Sequence, residues 1–173
     1  MTPANAEQSR RWVWLALAAA LWAVDQAIKY GVVLTMPLYT SLPIFPGFNW
    51  VYVLNPGAAF SFLADAGGWQ LNFFTGLAII VSAVLTVLLW RGASSRLEAL
   101  AYSLLIAGAM GNGTDSVSRG AVVDYLDFYW GHWHWPAFNF ADINISAAAM
   151  LLLYGTWQQY RSPPADGAPQ NAG

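Results

Sequence analysis

The stretch LNFFTGLAIIVSAVLTVLLW, residues 71–90, carries no charged side chain. A helix needs about 20 predominantly apolar residues to cross a hydrocarbon core about 30 Å thick. Lipid offers no partner to backbone hydrogen-bonding groups, so a spanning segment of this length has to be helical. Residues 71–90 therefore predict a transmembrane helix.

Three further apolar blocks of similar length predict helices of the same kind, over residues 12–33, 97–117 and 138–157. Hydrophobic residues make up 57% of the chain and charged residues only 9%, whereas a soluble domain carries about 25% charged residues. Too few charges remain to cover a water-facing globule. The predicted fold class is an all-α membrane protein with four transmembrane helices, a small extracytoplasmic β-sheet and an interfacial loop.

The charge and cysteine content exclude several functions. The net charge is -2 and the seven Lys and Arg residues are scattered, so the chain lacks the basic surface typical of nucleic-acid binding. Cysteine is absent, which excludes disulfides, thiolate catalysis and a lipid-modified cysteine on this chain. We therefore expect no nucleic-acid partner.

Arginines beside the blocks orient the chain in the membrane. Five of them flank the predicted helices: Arg10, Arg11, Arg91, Arg96 and Arg161. With four spans all five lie on one side, which the positive-inside rule makes cytoplasmic. We therefore expect both termini in the cytoplasm and residues 34–70 and 118–137 outside.

The two outer segments differ in character. Residues 34–68 contain prolines, an alternating apolar run at 48–54 and the turn Asn55-Pro56-Gly57, a pattern typical of short strands joined by turns. We predict a small sheet there, on the outer surface. Residues 118–137 are rich in aromatic side chains, which favour the membrane interface, and we predict a loop partly immersed in the headgroups.

The two ends of the chain are also predicted from composition. Residues 162–173 hold three prolines, two glycines and no aromatic residue, a composition typical of disorder, so residues 1–161 form the predicted single domain. The Ala-rich run up to Ala23, after two arginines, also resembles a cleaved signal peptide. That run continues to Leu34 and carries Asp25 and Lys29, which a disposable segment would not need, and we predict that it is retained.

Polar residues occur at a common depth in three of the predicted helices. At a rise of about 1.5 Å per residue, Asp25 and Lys29 lie roughly 20 and 26 Å from the inner end of the first helix. Asn112 and Asp115 lie about 23 and 27 Å along the third helix, and Asp142 about 6 Å below the outer end of the fourth. An ionisable group inside a spanning helix indicates a functional site. All of these groups fall in the outer third of the membrane.

The spacing of these residues places the polar groups of each helix on one face. Asp25 and Lys29 are four residues apart, and Asn112 and Asp115 are three apart, as are Asn139 and Asp142. Three polar faces at one depth indicate one shared site. Asp124 is the fourth acid able to reach it, because its apolar neighbours allow the outer loop to dip into the interface. Burial there, and a second carboxylate nearby, would raise a carboxyl pKa.

Several of these polar residues also have a structural interpretation. Asp25 and Lys29 fit a purely structural ion pair as well as they fit a functional site. Asp115 also fits a solvated residue at the end of a helix. Asp127, beside an aromatic residue in the loop, is expected to be exposed. His132 and His134 form a His-x-His pair that could hold a metal, but no third ligand stands at suitable spacing, so we expect interfacial residues and no metal.

Five peptides occur in the order typical of one family, each on a predicted element between residue 12 and about residue 157. They are Asp25-Gln26-Ala27-Ile28-Lys29, Asn55-Pro56-Gly57-Ala58-Ala59-Phe60, Gly108-Ala109-Met110-Gly111-Asn112-Gly113-Thr114-Asp115, Gly120-Ala121-Val122-Val123-Asp124-Tyr125 and Phe138-Asn139-Phe140-Ala141-Asp142. On these residues the chain resembles signal peptidase II, the bacterial lipoprotein signal peptidase family.

The resemblance implies a specific reaction and site. The family cleaves diacylglyceryl-modified prolipoproteins immediately before the lipidated cysteine, at the outer face of the bacterial cytoplasmic membrane, with two catalytic aspartates that correspond to Asp124 and Asp142. No cofactor is implied, the expected partners are prolipoprotein substrates and membrane lipid, and we expect a monomer. The residues expected to bind substrate or support the site are Asp25, Lys29, Asn55, Gly57, Asn112, Asp115, Arg119 and Asn139.

Two carboxyl groups are chemically sufficient for this reaction. Peptide hydrolysis without a metal, serine or cysteine needs a base that activates water and an acid that protonates the leaving amine. Two carboxyls that share one proton supply both. Because a coupled pair titrates as a unit, the sequence leaves open which of Asp124 and Asp142 starts ionised.

One position departs from the family pattern. The family usually has arginine directly after the aspartate of its Asn-x-x-Asp motif, where this chain has Ser116, and the nearest cation is Arg119. Either Arg119 reaches the same place or turnover is impaired. Two other functions therefore stay open: a catalytically impaired lipoprotein-binding relative and, because intramembrane acids also mark ion pathways, a small ion or proton transporter.

Overall fold

The computed structural model describes residues 3–57 and 69–161. Its elements, in chain order, are α1 (Pro3–Thr35), β1 (Ser41–Phe45), β2 (Phe48–Asn55), α2 (Trp69–Arg91), α3 (Arg96–Arg119), β3 (Val122–Trp130), β4 (Trp133–His134) and α4 (Phe140–Arg161). The chain is mostly helical with one small antiparallel sheet, as predicted. The predicted disordered tail at 162–173 and the end of the first outer segment, 58–68, lie outside the described residues.

Helix α3 is the centre of the helical part, because α1, α2 and α4 all pack against it. Buried apolar residues fill the contact between α1, α2 and α3: Ala18, Leu85, Leu89, Ala99 and Ile106. Other apolar residues of α2 point outward, and Ile79, Ile80 and Val84 are each more than half exposed. Two helices, Arg11–Thr35 and Trp69–Arg91, are long and apolar enough to cross a membrane.

Two glycines let α3 approach its neighbours closely. A methyl group on Gly108 would lie 2.5 Å from the carbonyl oxygen of Ala141 in α4. One on Gly111 would lie 2.6 Å from Oδ2 of Asp25 in α1. Small residues commonly permit such close helix contacts in membrane proteins. They bring α1, α3 and α4 together at the depth of the polar residues.

The sheet has the strand order β1-β2-β3-β4, and each neighbouring pair is antiparallel. The prediction of a loop over residues 118–137 is wrong, because nine of these residues form β3 and pair with β2. The first half of the strand is buried, with Val123, Asp124 and Tyr125 all at 2% exposure or less, whereas Phe128 and Trp130 are exposed. The aromatic content hid this strand, and the pairing partner is far away in the sequence.

A second apolar cluster attaches the sheet to α1. It contains Val32, Met36, Tyr52, Val123 and Tyr125. Two members of this cluster, Val123 and Tyr125, flank Asp124 in β3, so their burial against the C-terminal end of α1 fixes the position of that carboxyl along the helix. Gly120, which ends α3 at a φ of 71°, turns the chain from the helix into this strand.

Candidate active site

Asp124 and Asp142 line the same cavity, of about 420 Å³, between α2, α3 and α4. Asp124 comes from β3 and Asp142 from the first turn of α4. Apolar side chains form most of the wall, among them Leu71, Phe74, Leu77, Leu105, Ala109 and Ile145. The cavity therefore presents two carboxyls in a mostly apolar setting.

The position of Asp142 is fixed by the start of α4. Asn139 caps the helix: its Oδ1 accepts from the backbone amide of Asp142 at 3.0 Å. In return the backbone amide of Asn139 donates to Oδ2 of Asp142 at 3.1 Å. This reciprocal arrangement, with the shorter Asp in place of the usual Glu or Gln partner, satisfies two amides at the helix start. It also holds the Asp142 carboxylate in one orientation.

Asp124 is only 2% exposed and is held by two side-chain amides. Asn139 Nδ2 donates to its Oδ1 at 2.7 Å, and Asn55 Nδ2 donates to its Oδ2 at 3.1 Å. Burial raises the pKa of the Asp124 carboxyl to about 7, and the nearby Asp142 carboxylate adds to the rise. Asn139 therefore contacts both carboxyls of the pair.

Asn55 is oriented by a tight turn at the end of β2. Its Oδ1 accepts from the backbone amide of Gly57 at 3.1 Å, which directs its Nδ2 towards Asp124. Gly57 has a φ of 90°, a conformation that side-chain-bearing residues rarely adopt. The sequence motif that contains Asn55 and Gly57 thus supplies one of the two amides that hold Asp124.

A buried charged group lies behind the pair, and we call Lys29, Asp25, Asp115 and Arg119 the Lys29 cluster. The Lys29 ammonium lies 2.9 Å from Asp25 Oδ2 and 3.0 Å from Asp115 Oδ2, and the side chains of Lys29 and both acids are fully buried. Asp115 is therefore not a solvated residue at a helix end. Lys29 also donates to Oδ1 of Asn112 at 2.9 Å, and Asn112 Nδ2 donates to Asp142 Oδ1 at 2.7 Å.

The two acids of the Lys29 cluster also hold backbone beside the aspartate pair. Oδ1 of Asp25 accepts from the amide of Ala141 at 3.0 Å, in the first turn of α4. Oδ2 of Asp115 accepts from the amide of Val123 at 3.2 Å, directly before Asp124. The cluster thereby joins α1 and α3 to both elements that carry the pair.

Arg119 does not reach the cavity at the position of Ser116. Its guanidinium binds Oδ1 of Asp115 and is one quarter exposed. Ser116 itself lines the cavity, and its hydroxyl donates to the backbone carbonyl of Asn112 at 3.0 Å. The cavity wall therefore carries a hydroxyl where the family pattern has a cation.

Asp127 is buried at 8% exposure, so the expectation that it is exposed is wrong. It accepts from Asn49 Nδ2 at 2.8 Å and lies 2.9 Å from His134 Nδ1. These contacts join β2, β3 and β4 at the far end of the sheet from the pair. In the described part of the chain, no three His, Cys, Asp or Glu side chains lie close enough together to hold a metal.

Two contributors to the site were missed by sequence reasoning. Gln26 donates to Asp25 Oδ2 at 3.1 Å and to the carbonyl of Gly111 at 3.0 Å. The Tyr125 hydroxyl accepts from the amide of Phe140 at 3.0 Å. Both residues lie within motif peptides, which was a usable signal, but Tyr125 was interpreted only as one of the interfacial aromatics.

A second apolar groove meets the cavity described above, which is the first groove, at the aspartate pair. It has a volume of about 560 Å³ and runs along α4, with Trp135, Phe138 and Met150 in its wall. Asn55 and Asp142 line both spaces. The pair therefore lies where two apolar grooves join.

Comparison with known proteins gives one consistent family. The family model for signal peptidase (SPase) II matches residues 17–158. A lipoprotein signal peptidase of Cupriavidus taiwanensis is 48% identical over 149 residues, 86% of this chain and 85% of that protein. One from Yersinia pseudotuberculosis is 48% identical over 145 residues, 83% of this chain and 85% of that protein.

A solved structure described as a bacterial membrane enzyme has the same fold. It superposes with a TM-score of 0.78 at 27% identity, over 90% of this chain and 94% of that one. The chain therefore belongs to the signal peptidase II family.

Proposed function

We propose that this protein is an aspartyl endopeptidase that removes the signal peptide from diacylglyceryl-modified bacterial prolipoproteins, cleaving before the lipidated cysteine. The observation that carries the proposal is the meeting of Asp124 and Asp142 on Asn139 in the wall of an apolar cavity. Membership of the family supplies the reaction. The pair supplies the groups that peptide hydrolysis needs.

The charges around the pair support a shared proton. Lys29 and Arg119 are matched by Asp25 and Asp115 in the Lys29 cluster. Among the side chains that the structure describes, in residues 11–57 and 69–161, no Lys or Arg nitrogen lies within 4.0 Å of either carboxyl of the pair. Two uncompensated carboxylates at one buried site repel each other, and one retained proton relieves the repulsion.

The reaction follows from a singly protonated pair. The ionised carboxylate takes a proton from water, and the resulting hydroxide oxygen bonds to the scissile carbonyl carbon. The protonated carboxyl then gives its proton to the leaving nitrogen as the carbon–nitrogen bond breaks. One water is consumed, and the pair ends with one proton, now on the other carboxyl. No redox partner is required.

The two grooves fit a substrate with two apolar parts. A prolipoprotein has an apolar signal segment before the scissile bond and acyl chains on the cysteine after it. The grooves meet at the pair and are lined mainly by apolar residues, so one apolar part can lie on each side of the reacting bond. Both apolar parts of the substrate would enter the grooves from the membrane lipid.

We also infer the membrane arrangement. Helices α3 and α4 have 24 and 22 residues, or about 36 and 33 Å at 1.5 Å per residue, which is enough to cross the bilayer beside α1 and α2. The flanking arginines favour cytoplasmic termini, with the sheet and the aspartate pair at the outer face of the bacterial inner membrane. Residues of a single chain complete the site, which supports a monomeric enzyme.

The test is cleavage of a diacylglyceryl-prolipoprotein by the purified protein. Asp124→Asn and Asp142→Asn should each abolish release of the signal peptide. Asp127→Asn is the matched control, because this acid is also buried in β3 but lies outside the cavity lining, and it should retain cleavage. Cleavage by either variant of the pair would refute the mechanism.

Ser116 allows a direct test of the impaired-relative alternative. If the native chain binds but does not cleave the substrate, and Ser116→Arg gains cleavage, the chain is a binding relative. The transporter alternative predicts ion flux in liposomes that depends on Asp25 or Asp142. We expect cleavage by the native chain and no such flux.

A further inference from the structure

Asn112 lies between the Lys29 cluster and Asp142, and its side-chain amide has one permitted orientation. Its Oδ1 accepts from Lys29 at 2.9 Å and from Asn139 Nδ2 at 3.1 Å. An ammonium group can only donate, so the oxygen of the amide must face Lys29. The nitrogen is thereby turned towards Asp142 Oδ1, at 2.7 Å.

The ammonium of Lys29 has three protons and three near neighbours. Two are the carboxylates of Asp25 and Asp115, and the third is the oxygen of Asn112. A lysine that served only to join α1 to α3 would need the two acids alone. The third bond is the one that connects this buried cation to the reacting groups.

The contacts of Asp142 stabilise a negative charge. Its Oδ1 accepts from Asn112, whose orientation is set by a cation, and its Oδ2 accepts from the Asn139 amide at the start of α4. Helix amino termini favour anions. Both carboxyls line the cavity, but Asp142 is partly exposed, whereas Asp124 lies in a strand at 2% exposure and accepts from two neutral side-chain amides. The two carboxyls are therefore not equivalent.

We propose that Lys29 is a positioning residue which, through the Asn112 amide, holds Asp142 as the ionised, water-activating member of the pair and leaves the shared proton on Asp124. The catalytic consequence of this arrangement, which is the direction of proton transfer, rests on the proposed function. The charged groups around Lys29 are Asp25 on its own helix and Asp115 on α3, with Asp142 on α4 beyond Asn112 and Asp124 on β3 beyond Asn139.

Infrared difference spectroscopy locates the proton without requiring turnover. At about pH 5.5, below the Asp124 pKa of about 7, the native protein should show the C=O stretch of a protonated buried carboxyl. That signal should be lost in Asp124→Asn and kept in Asp142→Asn and in Asp127→Asn. Loss in Asp142→Asn with retention in Asp124→Asn would overturn the assignment.

A double-mutant cycle tests whether Lys29 acts through Asn112. Lys29→Met and Asn112→Leu should each lower kcat by about 10- to 100-fold, the range for one hydrogen bond to a charged group, with little change in KM. Because both variants break one path, the double variant should lose no more than Asn112→Leu alone. Additive losses, or a loss carried mainly by KM, would overturn the proposal.

The two measurements separate the possible failures. Should Lys29→Met fail to fold, the infrared comparison of the aspartate variants still decides where the proton lies. Should the native protein show the proton on Asp124 and yet cleave no prolipoprotein, the proposed function fails while the proton assignment stands. The acid limb of the kcat profile gives a further check, since it should move to higher pH in Asn112→Leu, where Asp142 loses a donor.

Discussion

Gly108→Ala should separate α3 from α4 and thereby displace Asp142. The added methyl carbon would lie 2.5 Å from the carbonyl oxygen of Ala141 and 2.6 Å from Cγ1 of Ile145, whereas ordinary contact begins at 3.4 Å. The first contact is with backbone, so rotation of a side chain cannot relieve it. Helix α4 must therefore move by about 0.9 Å at this point.

The expected consequences are a loss of turnover and a smaller loss of stability. Ala141 is adjacent to Asp142, and a misplacement of about 1 Å at a reacting group costs about 100-fold in rate. Overpacking in a filled interior costs about 1–3 kcal/mol of stability. We expect kcat to fall by about 100-fold, measured by release of signal peptide from a diacylglyceryl-prolipoprotein at saturating substrate.

Gly76→Ala is the matched control. Gly76 also lies inside a helix, but a methyl group there would meet no atom within 4 Å. This variant should keep native turnover and melt at the native temperature or slightly higher, since alanine favours helix. If Gly108→Ala turned over as fast as Gly76→Ala, the close contact of α3 and α4 would not position the pair.

Three further predictions concern the acids of the sheet. The pKa of Asp124 is about 7 in the folded protein and near 3.8 in the unfolded chain, so its contribution to stability should fall as pH rises from about 4 to about 7. The melting temperature of the native protein should therefore decrease over this pH range, and this decrease should be smaller in Asp124→Asn. Asn55→Leu removes a donor that lowers the Asp124 pKa, so the alkaline limb of the kcat/KM profile should move to higher pH, and an unchanged limb would contradict the contact. His134→Ala removes a hydrogen-bond partner of Asp127 and should lower the free energy of unfolding by about 1 kcal/mol with kcat unchanged. A loss of turnover would show that this end of the sheet contributes to the site.

The helices and the depth of the polar residues could be predicted because both depend on local sequence. Apolar blocks near 20 residues long gave α2 and α3 to within two residues at each end. Rise per residue then put Asp25, Lys29 and Asn112 at one level, where the structure brings them together. These arguments need no knowledge of which helices are neighbours.

The remaining features depend on pairings between distant residues. Strand β3 exists because β2 lies beside it, and nothing near Asp127 in the sequence indicates that Asn49 would cover it. The start of α4 was placed two residues early because Phe138 pairs with Leu126 and Asn139 caps the helix. Sequence also could not distinguish the surroundings of Asp124 and Asp142, since these depend on which donors face each carboxyl.

The protein groups that hydrogen-bond to the aspartate pair can donate protons to these bonds but cannot accept a proton from the pair. Among the described residues, each protein group that bonds to the four carboxyl oxygens is a donor: Asn55 Nδ2, Asn112 Nδ2, the Asn139 amide and Asn139 Nδ2. None of these can receive a proton. Under the proposed mechanism, a proton held by Asp124 or Asp142 can therefore pass only to the other carboxyl, to water or to a bound substrate. Proton exchange between the pair and the medium would then have to take place through the cavity that both carboxyls line.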